Sequence, residues 1–317
     1  MSAVAAARTR RDRTNHRWNG RKAKLFADVE VAIARLEAYW PLTLRQIYYQ
    51  LVAAEVLPNA RSSYQKLSVL LAEARLAGKL EWRCMEDRSR SLLWAEGWRD
   101  CVHFAEDELD LVLTGYRRDL QQSQPVRLEM WVEKDALAHV VYRVAKPWCI
   151  SVVVAKGWSS MTFKDLCRQR ALADPRPTRI LYLGDLDPSG WQMLPSMMHC
   201  LQVEMRLGGK VDAERVALTP EQATEMSLPY SFDALKPDDP NARNYVAELT
   251  RRGYPPDMAV ELDAVPPETL EGLTEEAIRR NVDLSAFEDE RRQAESELVR
   301  LAMWRREVLE VATRWRA

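Results

Sequence analysis

The sequence is short of long apolar runs, of paired cysteines, of histidines and of a phosphate-binding glycine loop, and each shortage argues against a class of function. No stretch of its 317 residues stays apolar long enough to cross a bilayer. The N-terminal residues carry Arg and Lys without the apolar segment of a secretory signal, so the expected compartment is the cytoplasm. Five cysteines, Cys84, Cys101, Cys149, Cys167 and Cys200, are scattered without a Cys-x-x-Cys pair, which argues against a zinc ribbon or a disulfide framework. The four histidines, His16, His103, His139 and His199, have no ligand spacing and read as structural. No Gly-rich loop ends in Lys-Ser or Lys-Thr, so any use of ATP needs a separate partner.

What is present suits a globular chain of two domains. With 47% apolar and 29% charged residues it can bury a substantial core. The net charge of −1 hides an asymmetry. Through residue 24, Arg8, Arg10, Arg11, Arg13, Arg17, Arg21, Lys22 and Lys24 stand against Asp12 alone, so this arm (1–24) is near +7 and the rest near −8. A flexible basic arm of this kind is either a solubilising tail or a sequence-independent contact to a nucleic-acid backbone.

Helical spacing follows over Leu25 to Tyr39, Leu44 to Glu55 and about Ser62 to Ala77, the last with Ser62 or Ser63 as cap and Gly78 as stop. Three short helices and the basic stretch from Leu80 to Arg90 fit a winged helix over 25–122, with the third helix in a DNA groove and a strand pair as wing. An ordinary helical bundle fits the same spacing. In the second helix Leu44, Ile47, Tyr48 and Leu51 form the buried stripe, which turns Tyr49 away from it. Arg45 lies four residues before Tyr49 and shares its face. A guanidinium beside a phenol favours phenolate or holds a phosphate against it, although stacking alone also explains such a pair.

From 123 onward strands and helices alternate: strands over Arg127 to Val132, Cys149 to Ala155 and Thr178 to Leu183, helices over Ala136 to Val144, Thr162 to Leu172 and Trp191 to Met198. This is the pattern of a Rossmann-like parallel sheet, and the whole chain is expected to be α+β and multidomain. Glu133 follows the first strand and Asp185 and Asp187 follow the third, so all three carboxylates gather at the carboxyl edge, where they would form a cage for Mg²⁺.

These residues carry a resemblance. Glu133-Lys-Asp-Ala, Lys156-Gly-Trp158 and Asp185-Leu-Asp-Pro-Ser-Gly190 resemble the Toprim domain of the type IIB topoisomerase A subunit (topoisomerase VI) and of the related meiotic double-strand-break transesterase. Arg45-Gln-Ile-Tyr-Tyr49 is similar to the same family's catalytic motif. The resemblance implies that Tyr49 attacks a DNA phosphodiester, that Arg45 supports the phosphate, and that Glu133, Asp185 and Asp187 hold Mg²⁺. It further implies Lys134 and Lys156 as phosphate contacts and a homodimer in which the tyrosine of one protomer works with the metal of the other. Lys66, Arg88, Arg8, Arg10, Arg11 and Arg13 are further candidates for DNA contact. The chain is shorter than a typical A subunit and has a basic arm where the family contacts its ATPase, so a separate GHKL-type ATPase partner and strand passage stay open.

The C-terminal third is expected to hold a strand at Arg215 to Thr219, a loop at Pro237 to Ala242, a strand at Ala259 to Ala264 and one long helix from Leu284 to Trp315. Glu261 and Asp263 repeat the two-residue acidic spacing and read as a second metal position, outer contacts or a half-exposed strand. On the long helix Phe287, Ala294, Leu298, Leu301, Val308 and Ala312 form a stripe expected to pack on its own domain. Three functions fit the sequence: a Mg²⁺-dependent transesterase, a Toprim nuclease using metal-activated water, and a DNA-binding adaptor that does not cut.

Overall fold

The computed structural model describes residues 18–86, 97–155, 161–231, 235 and 239–313. Its first layer is helical: α1 (Gly20–Arg35), α2 (Leu44–Ala53) and α3 (Arg61–Leu76). Helix α1 starts at Gly20 rather than Leu25, because Asn19 caps it by accepting from the Lys22 amide at 3.0 Å and Lys22 ion-pairs with Glu73 of α3. Neither Ser62 nor Ser63 caps α3. Ala60 is the cap residue, fixed by its amide donating to the buried Tyr48 hydroxyl at 2.8 Å. Gly78 ends the helix with a φ of 66°.

The expected wing is not formed by 80–86. That segment makes a 3-10 turn at Trp82–Cys84 and one parallel bridge between Leu42 and Met85. The Arg75 guanidinium lies over the Trp82 ring at 4.4 Å and Cys84 is buried, which pins the segment along α3; 87–90 lie outside the described residues. Helix α4 (Cys101–Leu111) buries no side chain, in keeping with its acidic run Glu106, Asp107, Glu108 and Asp110.

The second layer is β1 (Arg127–Val132), α5 (Asp135–Ala145), β2 (Ser151–Val154), α6 (Met161–Ala173), β3 (Thr178–Leu183), α7 (Pro188–His199) and β4 (Val211–Ala217). All pairings are parallel, in the order β2-β1-β3-β4. The apolar runs of the central strands β1 and β3 are continuous because both faces are covered. Met130, Val132, Leu181 and Leu183 join the cluster that holds Leu137 and Val140 of α5, while Trp131, Ile180 and Tyr182 point the other way, against Cys167 of α6 and Leu194 of α7. Leu181 and Leu183 are fully buried, each contributing about 1.5–3 kcal/mol relative to exposure. Strand β4 begins at Val211, earlier than 215.

After β4 come α8 (Pro220–Glu225), α9 (Ala242–Arg251), α10 (Pro267–Asn281) and α11 (Leu284–Thr313). Of the expected loop, Pro237 lies outside the described residues and Ala242 already opens α9. The expected strand at 259–264 is instead one antiparallel bridge, Leu186 to Val260, followed by a 3-10 turn at Leu262–Ala264. The Leu262 amide donates to the Asp185 carboxylate at 2.7 Å and so has no strand partner. On α11 the predicted stripe is only partly covered: Phe287 stacks on Trp148 at 4.4 Å and Ala312 is buried, but Leu298 and Val308 are exposed.

The two layers share one interior. Leu36, Leu42, Ile47 and Leu51 belong to the same continuous cluster as Leu137, Val140, Val141 and Leu183. Polar contacts cross with it: the Tyr39 hydroxyl donates to Glu271 at 3.0 Å, and Arg143 donates to the Ala38 carbonyl at 2.6 Å.

Candidate active site

Because β1 leads to β2 on one side and β3 to β4 on the other, the chain separates at the carboxyl ends of β1 and β3 and leaves a crevice there. Glu133 stands at the end of β1. Its Oε2 accepts from the Tyr182 hydroxyl at 3.1 Å and from the Asp185 amide at 2.9 Å. A Cβ on Gly184 would fall on the Tyr182 hydroxyl and lie 2.7 Å from Glu133 Oε2, so only glycine fits. Asp187 Oδ1 accepts from the Gly190 amide at 2.6 Å and caps α7, with Pro188 in the first turn. Gly190 is required too, since its Cβ would sit 2.5 Å from the Asp185 carbonyl oxygen.

Lys134 organises the crevice. Its Nζ lies 3.0 Å from Asp185 Oδ2, 2.8 Å from Glu261 Oε2 and 3.0 Å from Asp263 Oδ2. Glu261 Oε2 also meets Arg45 Nη1 at 3.0 Å, and Oε1 accepts from the Ser231 hydroxyl at 3.2 Å. Burial alone would lower the lysine, but Asp263, Asp185 and Glu261 outweigh it and hold Lys134 well above the usual range. Asp185 is pushed up to about 7, by burial first and then, against Lys134, by Glu133 and Asp187. Glu133 and Asp187 are raised as well, chiefly by burial and then by carboxylates nearby, Asp187 for the one and Glu261 with Asp239 for the other.

The three expected Mg²⁺ ligands are thus brought to one edge but are not equivalent. Asp185 has both oxygens engaged, by Lys134 and by the Leu262 amide. Glu133 and Asp187 each keep one oxygen that makes no hydrogen bond among the described residues. No three metal-ligating side chains among the described residues surround a common point. Mg²⁺ commonly takes one or two carboxylates and completes its shell with water and phosphate oxygens, so Glu133 and Asp187, each with an oxygen to spare, are the residues that could hold one.

Helix α2 carries Arg45 and Tyr49 to the same edge. A capping box starts it: the Gln46 amide donates to Thr43 Oγ1 at 3.3 Å and the Thr43 amide donates to Gln46 Oε1 at 2.8 Å. Tyr48 is buried, as its place on the stripe predicts, and its hydroxyl faces Asn59 Oδ1 at 3.1 Å. Tyr49 is buried too, 2% exposed, because residues 259–264 and Ser231 cover the second face of α2. Burial first, then Glu261, holds its phenol far above the usual range, against the Ser231 hydrogen bond, Arg45 and Lys134. Lys66 is exposed on α3. Arg8, Arg10, Arg11, Arg13, Arg88 and Lys156 lie outside the described residues.

A cavity of about 740 Å³ opens between α2, α3 and the sheet edge, lined by Arg45, Tyr64, Arg75, Glu133, Lys134 and Asp263 among others. Tyr49 is not in its lining. The sequence did not point to Ser231 or Arg75, which lie in no motif; Glu261 and Asp263 were visible through their spacing, but their pairing with Lys134 depends on a contact 127 residues away in the chain. Compared with known families and with curated proteins, the sequence matches no protein-family model and no curated protein.

Proposed function

We propose that this chain cleaves duplex DNA by transesterification at Tyr49, with Mg²⁺ at the Glu133, Asp185 and Asp187 edge, the helical layer serving as a winged helix and the sheet layer as a Toprim domain. One observation carries the reading. Arg45 and Tyr49, one helical turn apart, meet Lys134 and the carboxylates of the sheet edge in a single cluster within one chain, where the resemblance implies a site shared between two protomers. A phenol, a guanidinium, an ammonium and spare carboxylate oxygens are the groups that phosphoryl transfer to tyrosine requires.

In the reaction the Tyr49 oxygen bonds to phosphorus, the bond from phosphorus to one deoxyribose oxygen breaks, the phenol loses its proton and the leaving oxygen gains one. The exchange of one phosphodiester for another leaves the ends able to rejoin. Arg45 pairs with a nonbridging oxygen. Mg²⁺, when bound, supplies charge neutralisation for the phosphate. Since burial and Glu261 disfavour free phenolate, the proton leaves during attack, and α2 must part from 259–264 for DNA to reach Tyr49. Two copies of the chain in a homodimer would cut opposite strands, and a GHKL-type ATPase subunit would be a separate protein. A cytoplasmic, DNA-associated place suits this activity, and no helix among the described residues is long and apolar enough to cross a membrane.

The test is to trap protein on DNA with denaturant in the presence of Mg²⁺. The native chain yields a denaturation-resistant adduct and Tyr49→Phe yields none; an adduct that persists in the variant removes Tyr49 from the role. A second reading, metal-dependent hydrolysis, is favoured by Tyr49 being 2% exposed and outside a cavity that Glu133 lines. It predicts free ends and cutting that survives Tyr49→Phe.

A further inference from the structure

Arg45 and Lys134, the cations of the site to which the resemblance gives a phosphate-contact role, both converge on one carboxylate. Glu261 Oε2 lies 3.0 Å from Arg45 Nη1 and 2.8 Å from Lys134 Nζ, and Oε1 accepts from Ser231. Ser231 in turn shares a hydrogen bond with Tyr49. The nucleophile, the guanidinium and the ammonium thus surround a group that is not substrate. A carboxylate and a phosphodiester present the same recognition features, two oxygens with shared negative charge, and an arginine fork accepts either.

The surroundings favour an anion larger than a carboxylate. Arg75 adds a third cation to the lining of the same cavity of about 740 Å³, its guanidinium held in place by the Trp82 and Met85 carbonyls, which accept from Nη2. The Arg45 side chain is 41% exposed while that of Glu261 is 9% exposed, so a ligand in the cavity reaches the guanidinium without entering the interior. If Glu261 releases its cations it retains Ser231, and Lys134 retains Asp185 and Asp263.

We infer that Glu261 is the built-in occupant of a phosphodiester-binding site formed by Arg45 and Lys134, and that a backbone phosphate of DNA displaces its carboxylate. The substrate class rests on the transesterase reading; the site itself does not depend on cleavage. Glu261→Gln removes the competing charge and keeps the shape. Measured in a Tyr49→Phe background, a short labelled duplex should bind the Glu261→Gln protein roughly fivefold or more tightly than its Glu261 parent, and adding Arg45→Ala should abolish the gain. Equal or weaker binding, a gain that survives Arg45→Ala, or no binding by any of these proteins overturns the inference. Should the glutamine disturb folding, the unaltered chain gives a second reading: DNA should raise amide hydrogen exchange in 259–264, and unchanged or slower exchange there overturns it as well. A native chain that never forms an adduct, alongside tightening in the variant, rejects the transesterase reading and keeps the phosphodiester site.

Discussion

Asp185 shows how far one side chain can be moved from its solution behaviour when a fold buries it, here beside other carboxylates. It titrates at 3.8 in an unfolded chain and at about 7 in the fold. Between those values the folded state holds a proton that the unfolded state has released, so stability falls as pH rises from 3.8 toward 7. Glu133 and Asp187, raised in the same direction, add to the slope, whereas Lys134, held above its usual value, stays charged throughout this window. Asp185→Asn should therefore flatten the fall in denaturation midpoint between pH 4 and pH 7, roughly the span of the two pKa values. Parallel curves for the two proteins would show that Asp185 is not the group responsible. Gly184 and Gly190 belong to the same scale: each is needed because another atom stands where its Cβ would be.

Among the elements, α2 has the most demanding placement, since one end must present Arg45 to the cavity while the next turn packs Tyr48 and Tyr49 inside. Thr43 fixes where the helix begins, through both halves of the capping box. Thr43→Ala should lower stability by about 1 kcal/mol, read as a shift in denaturant midpoint, and should loosen the turn that carries Arg45. The central strands β1 and β3 were legible in the sequence because their apolar runs report burial on two faces, and Thr178–Leu183 ends where the run does. Strand β4, with Asp212, Glu214 and Arg215 in it, has no such run to mark its start. The stripe of α2 placed Tyr48 correctly but could not place Tyr49, because helical spacing records the face turned to the local bundle and not a second face covered by residues from 231 onward. Alternation at 259–264 resembled a strand for a similar reason: its inward residues answer to Lys134 and to the Asp185 side chain, not to a neighbouring strand. Glu133, Asp185 and Asp187 were legible as a group since a parallel sheet must deliver them to one edge, but the different commitments of their oxygens arise only on folding.

At the scale of the molecule the shared interior sets the behaviour. With α1, α2 and α3 in the same apolar cluster as α5 and the adjoining face of the sheet, the layers are expected to unfold together. Far-UV ellipticity and tryptophan fluorescence, which samples Trp40 in the first layer and Trp131 in the second, should trace a single urea transition; two separated midpoints would contradict a common core. Helix α11 extends from this body for about 45 Å, at 1.5 Å per residue, tied down by Arg118 to Glu290 and Glu297 and by Arg305 to the Val112 carbonyl. The depth at which Lys134 sits has a further consequence. Dissolved ions weaken attractions between exposed charges over a Debye length of about 8–10 Å, but they screen far less a cluster whose lysine side chain is 16% exposed. Salt strong enough to screen the exposed arginines therefore leaves the edge of the sheet assembled, and the denaturation midpoint should change little as ionic strength rises.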